Sequence, residues 1–192
     1  MLTAFGAVGE RFDEVAARAE RQALALELKF AVTDVNGWKT AYGYDGGRSR
    51  PPFERSSREV RRLLDTARRE PVGARERALL RRLESAFASF LRLDVVAYRA
   101  LRAGQAARVR EIFLGPEIRF FQAMAAAAGE LAAEQARRAA QARRAFAAER
   151  RAARRELVAV GLGAGLLVML LLVTAQDVAR LALERRSAGP AR

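Results

Sequence analysis

Six side chains carry most of the recognition chemistry this sequence offers. Asn36, Trp38, Thr40 and Tyr42 lie in DVNGWKTAYGYDGG (34–47), and Asp94 and Arg99 lie in FLRLDVVAYRALRAG (90–104). An amide, a hydroxyl, two aromatic faces, a carboxylate and a guanidinium suit binding better than bond breaking. Trp38 and Tyr42 fall on an apolar seam, so they form bundle core or contact a ligand or a dimer partner. Asn36 shares a polar stripe with Lys29, Thr33 and Thr40, which reads as a solvated helix face. Asp94, like Asp34, falls where an apolar residue is expected. A buried carboxylate needs a partner, and Arg92 or Arg99 is close in sequence. Asp94 therefore either pairs structurally or meets a ligand.

The chain holds neither cysteine nor histidine. That removes disulfides, thiolate nucleophiles, Ser-His relays and nearly all zinc chemistry. No paired-carboxylate or glycine-rich phosphate motif is present. The reading is of a protein that is not an enzyme and uses neither metal nor cofactor. The net charge of +13 comes almost wholly from arginine, Lys29 and Lys39 being the only lysines. Most arginines alternate with Glu and Ala, as on solvated helix faces, and nucleic-acid motifs are absent, so no nucleic acid is expected as partner. An anion remains the ligand class toward which the charge leans.

The composition, rich in alanine, arginine, leucine and glutamate, is that of long helices. The fold class is all-α: an up-down four-helix bundle whose last helix continues into a single transmembrane helix. A seam Leu24, Leu28, Ala31, Val35, Trp38, Tyr42 keeps its phase through Asn36-Gly37. The first helix therefore runs through that pair and stops near Asp45-Gly46-Gly47. Gly37 would let a neighbouring backbone approach. A second seam, Phe12, Ala16, Ala19, Ala23, Leu26, Phe30, Gly37, Ala41, Tyr44, suits a helix touching more than one neighbour. Pro51-Pro52 places the second helix at about 53–69, with Phe53, Ser57, Val60, Leu64 and Ala67 inward. Glu70-Pro71-Val72-Gly73 ends it, and a third helix covers about 74–103. The fourth begins near Gln105, is disturbed at Gly115-Pro116, and carries Phe121, Met124, Ala128, Leu131, Gln135 and Arg138 inward.

Residues 157–176, LVAVGLGAGLLVMLLLVTAQ, are uncharged throughout and long enough to span a bilayer core of about 30 Å. The organisation is thus a bundle over 1–156, a transmembrane helix over 157–176 and a short basic tail over 177–192. Gly161 and Gly165 form a G-x-x-x-G, a candidate contact between two transmembrane helices.

LELKFAVTDVNGWKTAYGYD (26–45) resembles the first-helix signature, N-G-W-x-T-A-Y-x-x-D, of a branch of the four-helix-bundle sensor domains of bacterial methyl-accepting chemotaxis receptors and related transmembrane signalling proteins. FLRLDVVAYRALRAG and LGPEIRFFQAM (114–124) are similar to that branch's third and early fourth helices, so the resemblance extends over 24–175. It implies a sensory region that passes helix displacement across the inner membrane, with the bundle outside the cytoplasm. It also implies a homodimer formed through the bundle and the transmembrane helix. The polar stripe of Asn36 and Thr40 would then be able to line a ligand pocket between subunits. Family members carry a span before the bundle and continue into a HAMP linker and an output domain, neither of which this sequence shows. It reads as a fragment, a truncated gene product or an accessory subunit. Arginines 137, 138, 143, 144, 150, 151, 154 and 155 crowd the bundle side of the span, which the positive-inside rule would place in the cytoplasm. That conflict keeps a second reading open: a C-terminally anchored structural or adaptor bundle facing the cytoplasm. The same arginines could hold anionic headgroups or be balanced in part by Glu149 and Glu156.

Overall fold

The computed structural model describes residues 2–70 and 73–187. These form five helices: α1 (Leu2–Tyr44), α2 (Arg50–Arg69), α3 (Ala74–Arg102), α4 (Ala106–Ile112) and α5 (Ile118–Ser187), with a π-helical segment, Phe113–Glu117, between the last two. No strand occurs among the described residues. Two compact units are present, Met1–Arg143 and Arg144–Arg192.

In the first unit α1 runs unbroken through Asn36-Gly37 and ends as its sequence predicts. Gly46 and Gly47 take positive φ values of 70° and 96°, which glycine adopts without a Cβ penalty. The amide of Gly47 donates to the Tyr42 carbonyl at 2.8 Å, closing the helix with a Schellman-type cap. Helix α2 begins three residues earlier than its prolines suggest. Pro51 and Pro52 occupy the first turn, where a missing N–H breaks no helical bond. The break between α2 and α3 falls partly on 71–72, outside the described residues. Gly104, at φ 69°, ends α3.

One buried cluster unites the helices: Leu28, Val32 and Val35 of α1, Phe53, Val60 and Leu64 of α2, Leu83, Phe87 and Phe90 of α3, and Met124, Ala128 and Leu131 of α5. Partners run in opposite order along each neighbouring pair. Arg21 meets Glu70, Asp34 meets Ser56 and Tyr42 meets Phe53; Arg50 meets Asp94 and Arg68 meets Glu84; Glu76 meets Gln135 and Arg82 meets Glu130.

The second α1 seam is not a core seam. Phe12 and Phe30 are 62% and 69% exposed and Tyr44 is 87% exposed, so within one chain this stripe has no cover. No neighbour from the same chain approaches Gly37, since a Cβ there meets nothing within 4 Å. The close approach falls instead at Gly43, where a Cβ would overlap the Phe113 ring.

In the second unit α5 is long and apolar enough to cross a membrane. Its large apolar side chains from Leu157 to Val173 are 48–69% exposed. The Thr174 hydroxyl donates back to the carbonyls of Leu170 and Leu171, leaving no free polar group at that position.

Candidate functional site

The buried residues of α1 follow Leu28, Val32, Val35, Lys39 and Tyr42. A helix of 3.6 residues per turn drifts against a strict heptad. That drift puts Lys39, fully buried, where the heptad seam expected Trp38, which is 39% exposed. One of the chain's two lysines therefore sits in the core.

Around it the bundle gathers charges from four elements. Lys39 Nζ lies 2.7 Å from Glu117 Oε2, on the π-helical segment, and 3.8 Å from Asp94 Oδ1 on α3. Arg50, in the first turn of α2, donates from Nη1 to both Asp94 oxygens at 2.8 and 2.7 Å. The Tyr42 hydroxyl donates to Asp94 Oδ1. Two cations and two carboxylates balance, which burial of the set requires. The Lys39–Glu117 contact is not aligned as a hydrogen bond, so the ammonium is held by position and charge. Lys39 suits this place because its ammonium is compact, whereas Arg50 can span the Asp94 carboxylate.

Aromatic rings wall the cluster. Lys39 Nζ stands 4.2 Å from the Phe90 ring centre, and the Arg50 guanidinium carbon 4.4 Å from that of Tyr98 and 4.7 Å from that of Phe53. Tyr42 meets Phe53, Tyr98 and Phe113 edge-on.

This surrounding moves the titrations. Burial pulls the Lys39 ammonium below its ordinary range against the opposing pull of Glu117 and Asp94. Burial pushes the Glu117 carboxyl up to about 7, with Lys39 holding it from rising further. The Tyr42 phenol is driven upward by burial and by the neighbouring Asp94 charge. For Arg50 burial acts downward, but the bonds to Asp94 outweigh it and the net shift is upward.

Glu117 reaches the cluster because the helix is broken just before it. Gly115 leaves helical geometry (φ −106°, ψ −108°) and Pro116 has no N–H to donate. The resulting π turn buries Glu117 alone among its residues. Single π turns recur at functional sites.

Of the residues picked from sequence, Tyr42 and Asp94 belong to this site. Trp38 does not. Asn36 is half-buried and Thr40 exposed, its hydroxyl bonding to the Asn36 carbonyl at 2.9 Å; Thr33 bonds back to Lys29 in the same way. The stripe is a solvated face within one chain. Arg99 is exposed, and Asp94 takes its cation from Arg50, across the helix pair and not from its own helix. Arg92 reaches only Ser89. Asp34 is exposed and accepts from the Ser56 hydroxyl at 2.6 Å.

A separate polar contact anchors the start of α3. Buried Glu76 accepts from Gln135 Nε2 at 2.9 Å and from the Gly73 amide at 3.0 Å, and pairs with Arg138. It closes a helix end and ties α3 to α5.

No family model matches the chain, and no curated protein or solved structure matches it either.

Proposed function

We propose that this chain is the sensory region of a membrane-bound bacterial chemotaxis or signal-transduction receptor. In this reading the first unit is an up-down four-helix bundle outside the cytoplasm, and 157–176 crosses the inner membrane. The opposite order of partners along each helix pair supports that topology. The observation that carries the function is the buried charge cluster. It joins α1, α2 and α3 to the π-helical joint at the head of α5, the helix that continues through the apolar segment. A ligand or partner that alters packing at the cluster would bias that joint, provided its affinity differs between the two arrangements. The resemblance of NGWKTAY to the sensor signature points the same way, and here its variable position is Lys39.

Homodimerisation fits the reading. Phe12, Phe30 and Tyr44 are exposed on one stripe of α1, and Gly161 and Gly165 leave open space on α5.

Labelling of intact cells tests it. A single cysteine at Arg48→Cys, exposed in the α1–α2 turn, reports alone because the chain has none of its own. Reaction with a membrane-impermeant maleimide before lysis supports a receptor. Reaction only after lysis rejects it in favour of the anchored adaptor bundle, which the arginines on the bundle side of the span favour.

A further inference from the structure

A cavity of about 250 Å³ opens between α2 and α3, with Arg50, Ser57, Arg58, Arg61, Leu91 and Asp94 among its walls. The α2 residues recur every three or four positions and so share one face. Arg50 is committed to Asp94 and Glu54. Arg58 and Arg61 form no ion pair with any described residue. Glu54 and Asp94 also line the cavity but are both engaged by Arg50, so three guanidiniums face two carboxylates and Arg58 and Arg61 border it without an ion pair of their own.

Ser57 supplies a second and independent observation. Its side chain is 95% buried by the exposure of the residue, 5%, and its Oγ has no hydrogen-bond partner among the described residues. Helical hydroxyls ordinarily bond to the carbonyl four residues back. Thr33, Thr40, Thr66 and Ser89 of this chain do so. Ser56 donates to Asp34 instead, whereas buried Ser57 has no partner among the described residues, and it lines the cavity that Arg58 and Arg61 border.

We infer that this cavity binds a small oxyanion, a carboxylate or a phosphate, held by Arg58 and Arg61 and accepting from the Ser57 hydroxyl. Guanidinium forks pair with such groups through two parallel bonds. The volume lies below the usual range for ligand pockets, so the molecule is small, and the carbon chain of a carboxylate ligand would pack on Leu91 and Val95. The site's signalling role rests on the receptor reading above; its existence does not. Arg50 is both a wall of the cavity and the partner of Asp94, so an anion drawing on Arg50 loosens the buried cluster.

The test is calorimetric titration of the full chain in lipid nanodiscs with succinate and with inorganic phosphate, against sodium chloride at matched ionic strength. Saturable binding of either probe is expected, weakened roughly tenfold or more in Arg58→Gln and in Arg61→Gln. Ser57→Ala should weaken it less. Both arginines are exposed, so these variants keep the core, which an unchanged thermal midpoint would verify. Succinate alone would define a carboxylate site and phosphate alone a phosphate site. No saturable binding of either, or affinity unchanged in both arginine variants, overturns the site. Hydrogen exchange at 113–117 in the same samples separates the two readings. Binding with unchanged exchange keeps the site and removes it from the signalling route.

Discussion

Lys39 Nζ and Glu117 Oε2 face each other at 2.7 Å in the core, from the second-last turn of α1 and the break that precedes α5. Neither charge reaches water, and each is what permits burial of the other. Lys39→Met should therefore cost about 3 kcal/mol, since it strands Glu117 and leaves Arg50 as the one cation beside Asp94. Lys39→Met combined with Glu117→Gln should recover most of that loss. Denaturant midpoints of the singles and the double give the coupling energy, and simple additivity would show that the pair is not coupled.

The same pair sets a pH dependence. Glu117 holds its proton up to about 7 when folded, against a reference value of 4.5. The folded chain therefore binds a proton, between these values, that the unfolded chain has lost. This contribution is complete below pH 4.5 and disappears as pH rises through 7, with a ceiling of about 3 kcal/mol. Wild type should lose stability relative to Glu117→Gln between pH 5 and 7.5 in paired unfolding curves. A gap that stays constant over that range would mean that Glu117 is ionised throughout.

The sequence and the structure agree where apolar spacing decides and part where charge does. Phe53, Val60, Leu64, Met124 and Leu131 are inward as their periodicity predicts, and the glycines after Tyr44 stop α1. Trp38 and Lys39 were separable only by phase. Apolarity favours Trp38 as the inward residue, yet Lys39 takes the place because Asp94 and Glu117 require a cation there. That need was readable: Asp94 sits on a core seam, and a buried carboxylate demands a partner. Which cation answers is a tertiary fact, because Arg50 is distant in sequence and Glu117 turns inward only through the irregular turn at Gly115-Pro116.

Two glycines of α1 should respond in opposite senses. Gly37 is exposed, with open space where a Cβ would stand, so Gly37→Ala should stabilise the helix by about 0.5–1 kcal/mol. Gly43 lies under the Phe113 ring, with Cζ 3.0 Å from where a Cβ would stand. Gly43→Ala must push Phe113 away from Tyr42 and the head of α5, at a cost of about 1–3 kcal/mol. Thermal midpoints of the two variants would decide it. Equal shifts would mean that α1 does not press on the π-helical joint.

Arg50 and Arg99 offer the sharpest contrast between the two routes to Asp94. Arg99 is the neighbour in sequence, five residues along the same helix, and it is exposed. Arg50 comes from another helix and contacts both carboxylate oxygens. Arg50→Ala leaves Asp94 facing Lys39 at 3.8 Å and the Tyr42 hydroxyl, with Lys39 now shared between two carboxylates. It should cost about 3 kcal/mol, and Arg50→Lys should restore only part, because one ammonium cannot serve Asp94 and Glu54 from two separate nitrogens as Arg50 does. Arg99→Ala should stay within about 0.5 kcal/mol of wild type. Urea unfolding of the three variants checks this directly. A large loss in Arg99→Ala with a small one in Arg50→Ala would reassign the partner of Asp94 and dissolve the link between α2 and the cluster.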